Sequence, residues 1–374
     1  MKKALALILA LVMVLALCAC GGSSAPAAPA APAEPAAPAA PAAPEAPAAP
    51  EAPEEPALSD WSYTIVWSDG GNKLGTGPVA AQPLIDYVEQ ATGGKVNFDV
   101  HWESELMGPP PEIEAVKSGE IDMAGVHHAF AGSMSPLIEF CSGVGARGVF
   151  DSIEHYWRFC DIPEVRQIIE DEMAKTFNVK LLYLCPASAT TVASTKPIKT
   201  VEDFQGLQIR TPGTASGVAY GLLGATPVSM SASEIYMGLE RGVIQAADTG
   251  TDEIYNRAFY EVTPYIIKDY TCYSPNALVS INLDLWNSMP EDIQQLFLDG
   301  AALAEAAGRQ ALLDQDADYC AKLEELGCEV YYFPAEEVEK ATSVLAPNTK
   351  ETFFTNVGDE ALCNTIWDYV ESTR

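Results

Sequence analysis

The chain has 374 residues, 48% of them hydrophobic, and sets 52 acidic against 21 basic residues for a formal net charge of -31. Such a charge excludes nucleic acid or an anionic membrane surface as the main partner and leaves small molecules or proteins. Single cores stop growing at about 250 to 300 residues, so two lobes are expected.

The chain opens with "MKKALALILALVMVLALCACGG", a basic pair at Lys2 and Lys3 followed by an apolar run from Ala4 to Leu17. The run is short for a bilayer span and no basic stop signal follows it, so it reads as an export signal and places the mature protein outside the cytoplasm. It resembles a bacterial lipoprotein signal peptide covering 1–20. In that pattern Leu17 and Ala19 occupy the third and first positions before an acylated Cys20. A plain secretory signal is the alternative.

Residues 21–58 form a stalk, most of it the Ala/Pro/Glu tract "SSAPAAPAAPAEPAAPAAPAAPEAPAAPEAPEEPA". A segment without aromatic residues cannot bury a core, and its prolines favour extended polyproline II, with a reach of roughly 100 Å. Seven cysteines remain after Cys20: Cys141, Cys160, Cys185, Cys272, Cys320, Cys328 and Cys363. An odd number cannot all pair, and no CxxC spacing beyond the signal suggests zinc or redox chemistry. They read as small buried hydrophobes, with Cys320 and Cys328 the pair that an oxidising compartment would allow.

The rest alternates strand and helix signals. "YTIVW" reads as a strand, and Asp69 and Asn72 follow it in "SDGGNKLGTG", placed to line a pocket. "PLIDYVEQATGG" reads as a helix closed by Gly93 and Gly94, and "KVNFDVHW" as a strand with Val96, Phe98, Val100 and Trp102 on one face. "PPPEIEAVKSGEIDMAGV" opens a helix on prolines, stops it at Gly119 and enters an apolar strand. This is α/β grammar.

His127 and His128 follow that strand. Neighbours on extended chain point to opposite sides, so the two make a poor metal pair; one is expected to face a cleft and the other to pack. In "GLQIRTPG", Arg210 sits at the carboxyl end of a strand, the edge where open α/β sheets bind ligands. Its planar fork can hold a carboxylate with two parallel hydrogen bonds; the alternative is a surface ion pair with Glu202 or Asp203.

"SASEIYMGLERGVIQAADTG" repeats the earlier design, with a serine cap, a helix, a stop at Gly242 and a strand from Val243. A long helix covers most of residues 290 to 326, crossing both lobes or bending near Gly300 or Gly308. Neither GxSxG, HExxH nor a Walker loop occurs, and the single "DTG" lacks the second copy and β-rich body of an aspartic protease. A hydrolase would have to use His127 and His128 with Asp248, without an activated nucleophile.

Several ordered blocks together carry a resemblance: "ATGGKVNFDV", "PEIEAVKSGEIDMAG", "STKPIKTVEDFQGLQIRTPG", "LLGATPVSMSASEIYMGLERGVIQAAD" and "LWNSMPEDIQQLF". From about Trp61 onward the chain resembles the solute-binding proteins of tripartite ATP-independent periplasmic (TRAP) transporters, the DctP-like family. The blocks around "RTPG" and "GLERGVIQAAD" are most similar to its subgroup for 2-oxo acids and related carboxylates.

The resemblance implies a two-lobed α/β fold of the periplasmic-binding-protein kind, with a cleft between the lobes and long helices crossing them. It divides the chain into a first lobe of 59–188 plus 276–314 and a second of 189–275 plus 315–374. It implies no enzyme activity and no cofactor, an organic acid as ligand, TRAP-type permease subunits as partners, and a lipid anchor at the outer face of the cell membrane. A sensory receptor docking on another membrane protein is the alternative use of the same fold.

Arg210 takes the family's carboxylate-gripping position. Asp248, Thr249, His127, His128, Asp69, Asn72 and Thr190 complete the expected pocket. The pattern is departed from at Gln245, where an aspartate is usual, at Thr249, where asparagine or tryptophan is common, at Thr190, where some members carry a second arginine, and at Ala232, where sialic acid binders carry an aromatic. These changes keep the clamp and leave both the acid and any accompanying metal ion open.

Overall fold

The computed structural model describes residues 58–143, 145–186, 190–268 and 276–374, excepting the side chains of residues 128, 129, 190 and 276. The expected signal, Cys20, the stalk up to residue 57 and Cys272 lie outside the described residues.

Two mixed sheets form the two lobes. The strands are β1 (Tyr63–Ser68), β2 (Val96–His101), β3 (Met123–Val126), β4 (Val179–Pro186), β5 (Thr190–Ser194), β6 (Gln208–Thr211), β7 (Thr226–Ser229), β8 (Ala246–Gly250), β9 (Tyr265–Lys268), β10 (Asn276–Asn282) and β11 (Glu329–Tyr332). The first sheet has the order β2-β1-β3-β10-β4, and the second β11-β9-β5-β8-β6-β7. Within the first, β1 runs parallel to β2 and β3, while β10 runs antiparallel to β3 and β4. Within the second, β6 runs parallel to β7 and β8, while β5 runs antiparallel to β8 and β9.

Parallel neighbours need crossover helices, and the punctuation read in the sequence supplies them. The helix Pro109–Ser118 opens on proline and closes at Gly119 with φ 77°, a left-handed conformation that glycine adopts without a steric penalty. Ser231 and Glu234 form a reciprocal capping box ahead of the helix Ile235–Glu240. The first helix runs Thr76–Ala91, earlier than its sequence signal, because it continues through Pro83. The lost hydrogen bond falls four residues back at Val79, which is exposed. β8 starts at Ala246 rather than Val243, which is itself exposed.

Both sheets are covered on both faces, so successive strand residues enter different cores. Ile65 and Trp67 belong to one core of the first sheet while Val66 packs on the other. In the second, Val192, Ala246 and Ile267 face one core, and their neighbours Ala193, Ala247 and Ile266 the opposite one. This is the period of two in a sheet without a wet face.

The long helix Glu291–Glu325 is continuous, with Ile293 and Phe297 in a first-lobe core and Leu323 in a second-lobe core. Gly300 and Gly308 permit the close approach of another helix. A Cβ on Gly300 would stand 2.7 Å from Leu84, and one on Gly308 would stand 3.1 Å from Ala80, both on the helix Thr76–Ala91.

The expectation that 315–374 belongs wholly to the second lobe does not match the packing. In the helix Ala335–Val357, Ala341 and Leu345 join a second-lobe core, but Phe353 joins the first, as do Cys363, Ile366 and Val370 of the helix Glu360–Ser372. Their apolar faces are covered by first-lobe side chains, Phe140 stacking on Phe353 at 4.0 Å. Cys320 and Cys328 are free and buried, as are Cys141, Cys160, Cys185 and Cys363.

Candidate functional site

The first group of candidate residues forms because β1 and β3 are parallel neighbours. Ser68 is level with Ala124, so one step further Asp69 comes over Gly125, and His127 emerges beside it. Asp69 Oδ1 accepts the Gly71 N–H at 2.7 Å and lies 3.6 Å from His127 Nε2. Burial works against a charged His127 ring, but Asp69 and Glu112 outweigh it and raise the pKa.

Glu112, in the first turn of the helix Pro109–Ser118, is fully buried behind this pair. Burial first, and Asp69 second, push its carboxyl up to about 7. Ser68 and the Gly70 N–H lie close enough to offset part of that rise, yet neither Glu112 oxygen makes a hydrogen bond of good geometry among the described residues. Asn72 has a structural task in this loop: its Oδ1 accepts the Leu74 N–H at 2.9 Å and fixes the turn.

The second group forms by the same logic in the other lobe. Arg210 on β6 is level with Ala247 on β8, which places Asp248 one residue further along. The Arg210 side chain is buried, donating from Nε to the Met230 carbonyl at 2.9 Å and from Nη1 to the Asp248 carbonyl at 2.7 Å. Burial holds its pKa below the usual value, with Asp248 and Glu253 partly offsetting this.

The surface ion pair considered for Arg210 is therefore overturned. Glu202 pairs with Lys340 and Asp203 caps Thr200, while no carboxylate of the described residues lies within ion-pair distance of Arg210. Thr249, half-buried, is level with Thr191, and Thr190 with Gly250, on the strand pair beside the arginine. The side chains of His128 and Thr190 are outside the described residues.

Four contributors escaped the sequence reading: Glu112, described above, and Arg147, Ser216 and Asp252. Arg147, in the loop after the helix Pro136–Cys141, makes a buried ion pair from Nη2 to Asp248 Oδ2 at 2.6 Å. Ser216 donates to the same carboxylate oxygen. Asp252, in the helix Thr251–Asn256, has Oδ2 only 3.8 Å from where a Cβ on first-lobe Gly75 would stand, and burial raises its pKa to about 7. Only fold-level pairing brings these residues in; Arg147 lies in an irregular loop with no periodic signal.

A hydrolase built on His127 with Asp248 fails on this geometry. His127 is engaged by Asp69 in the first lobe, and Asp248 by Arg147 and Ser216 in the second. Among the described residues no cluster of His, Cys, Asp and Glu is arranged to hold a metal ion. What the arrangement can do is bind: a buried guanidinium at one sheet edge, and a carboxylate and imidazole at another.

The family model described as bacterial extracellular solute-binding protein, family 7 (DctP) matches residues 76–356. The chain belongs to this family. Its members are binding proteins of TRAP transporters rather than enzymes, and they work outside the cytoplasm.

The sialic acid-binding periplasmic protein SiaP of Vibrio cholerae is 24% identical over 286 residues, 75% of this chain and 84% of that protein. The 2,3-diketo-L-gulonate-binding periplasmic protein YiaO of Escherichia coli is 26% identical over 255 residues, 67% of this chain and 76% of that one. A TRAP periplasmic solute-binding protein from Desulfovibrio desulfuricans, solved with bound sn-glycerol-3-phosphate, shares the fold with a TM-score of 0.75 at 20% identity, over 83% of this chain and 97% of that one.

Proposed function

We propose that this family-7 protein is a lipid-anchored receptor that captures a small organic acid by closing its lobes and delivers it to a TRAP-type permease. The observation that carries this reading is Arg210: a buried guanidinium, held by two backbone carbonyls and by no side-chain carboxylate of the described residues, at the strand end that faces the other lobe. Two carbonyl acceptors fix the direction of the fork without neutralising it. An anionic group brought to the remaining donors supplies the missing charge in a desolvated site, where charge-assisted hydrogen bonds are strongest.

The ligands named for the relatives support an acid: sialic acid and 2,3-diketo-L-gulonate are carboxylates, and glycerol-3-phosphate is an anion of another kind. Within this reading Arg210 grips the carboxylate. Asp248 and Thr249, with Thr190 beside them, shape the arginine side. Asp69 and His127, with His128 and Asn72 nearby, meet the rest of the molecule, an arrangement suited to the hydroxyl or oxo groups of 2-oxo and hydroxy acids. The lobes are 59–188 plus 276–314 with the helix Glu360–Ser372, and 189–275 plus 315–334, the helix Ala335–Val357 being shared. Cys20 carries the lipid, and residues 21–58 hold the lobes away from the membrane.

A thermal-shift screen of the chain against 2-oxo acids, hydroxy acids, dicarboxylates, sugar acids and sn-glycerol-3-phosphate tests the reading. A ligand at 100 times its Kd adds about 2.7 kcal/mol. A carboxylate that raises the melting temperature of the native protein and not of Arg210→Ala is the expected result. Hits confined to uncharged or cationic compounds would overturn it. For the anchor, a mass increase of the membrane-bound protein that disappears in Cys20→Ala is expected.

A further inference from the structure

The residues flanking Arg147 are first-lobe core: Ala146, Val149 and Phe150 pack in the same cluster as β3, β4 and β10. Its guanidinium, however, reaches second-lobe groups. It donates to Asp248 Oδ2 at 2.6 Å and to Ser216 Oγ at 3.2 Å, and it lies 5.4 Å from the centre of the Tyr220 ring. Both ends of the ion pair are 3% exposed. The Arg147 carbonyl in turn accepts the Thr349 hydroxyl at 2.8 Å, from the helix that spans both cores.

We propose that Arg147 is a positioning residue for ligand capture, a clasp by which the first lobe holds the strand end bearing Arg210. The linkage is short: Arg147 binds the Asp248 side chain, and the Asp248 carbonyl accepts Arg210 Nη1 at 2.7 Å. Separating the lobes withdraws the cation from Asp248, and closing them restores it, so closure and the orientation of Arg210 become one event.

The seam beside the clasp combines tight packing with a gap: Gly148 packs directly on Leu345, a residue of a second-lobe core. A cavity of about 120 Å³ adjoins it, lined by Glu139, Arg147 and Phe353 on one side and by Thr214, Val218 and Leu222 of the helix Thr214–Leu222 on the other. At the edge of that gap the charged pair and its serine add a directional contact to the packing, and removing one partner leaves a buried charge without compensation.

The inference rests on capture by lobe closure, so its test uses lobe separation without added ligand. Fluorophores are placed through p-acetylphenylalanine at positions 164 and 240 of the full chain, exposed helix positions on the first and second lobes, and single-molecule energy transfer reports the distance. Arg147→Ala and Asp248→Asn are each expected to cut the ratio of short-distance to long-distance molecules at least tenfold. Their combination should go no further, and Arg147→Lys should recover part of the loss. An unchanged distance distribution in both single variants, with only the melting temperature lowered, would overturn the clasp and leave the pair a structural one. Absence of any acid in the ligand screen, with this distance response intact, counts against the organic-acid reading and not against the clasp.

Discussion

The Asp69 carboxylate lies against Gly125, so close that a Cβ there would stand 2.1 Å from Asp69 Oδ2. The parallel register of β1 and β3 brings the two level, and glycine is the residue that leaves room for the carboxylate to reach His127. Gly125→Ala is therefore expected to turn Asp69 out of the group. It should weaken binding of whichever acid the screen identifies about tenfold or more, at a modest stability cost of about 1 to 3 kcal/mol. Calorimetry on this variant beside Asp69→Asn checks the point; unaltered affinity in both would remove Asp69 from the site.

The two buried carboxyls make stability depend on pH in a particular direction. Glu112 and Asp252 are each raised to about 7 from ordinary values of 4.5 and 3.8, burial being the first cause in both. Between those limits the unfolded chain has released protons that the folded chain still holds, so the stability lent by the neutral forms falls as pH rises from about 4 to 7. His127, also raised, changes in the same sense, since its protonated form is favoured by folding at the acid end. Glu112→Gln should flatten the slope and stabilise the protein at pH 8 by an amount on the order of 3 kcal/mol. Denaturant melts at pH 5 and pH 8 measure it, and parallel slopes for variant and native protein would refute the assignment.

Helix contact sets a third expectation. Gly300 of the helix Glu291–Glu325 touches Leu84, whose backbone is 3.3 Å from where a Cβ would stand. A flexible side-chain end can yield, but backbone cannot, so Gly300→Val must move the two helices apart. The expected loss is about 1 to 3 kcal/mol in a urea melt, whereas Gly358→Ala, strained only by its φ of 72° and meeting nothing, should cost less.

Local signals and pairing signals were not equally legible in the sequence. The caps at Gly119 and Ser231, the strand ends at Asp69, His127 and Arg210, and the crossing helix were all readable, because each depends on a few adjacent residues. A bend at Gly300 or Gly308 stood beside the crossing helix as an alternative, because sequence shows a glycine but not the neighbour it accommodates. The C-terminal helices were assigned whole to one lobe because periodicity gives a buried face and not its partner. Arg147, Glu112 and Asp252 were missed for the same reason: each acquires its role from a residue on a different element, Arg147 from one 101 positions away.

The tie between the long helix and the second sheet gives the last prediction. Lys268, at the end of β9, is 2% exposed and donates to Thr191 Oγ1 at 3.1 Å, Thr251 Oγ1 at 2.9 Å and Asp316 Oδ1 at 2.6 Å. Three donors meet three acceptors, which is why an ammonium tolerates burial here. Lys268→Met keeps most of the volume and removes the charge, leaving the partly exposed Asp316 and two threonines to rearrange, at an expected cost of about 1 to 3 kcal/mol. Adding Asp316→Asn should return part of that loss, because the carboxylate left without its cation is then gone. A double variant no more stable than Lys268→Met, measured by urea unfolding at one pH, would mean that the hydroxyl contacts and not the ion pair hold the helix to the sheet.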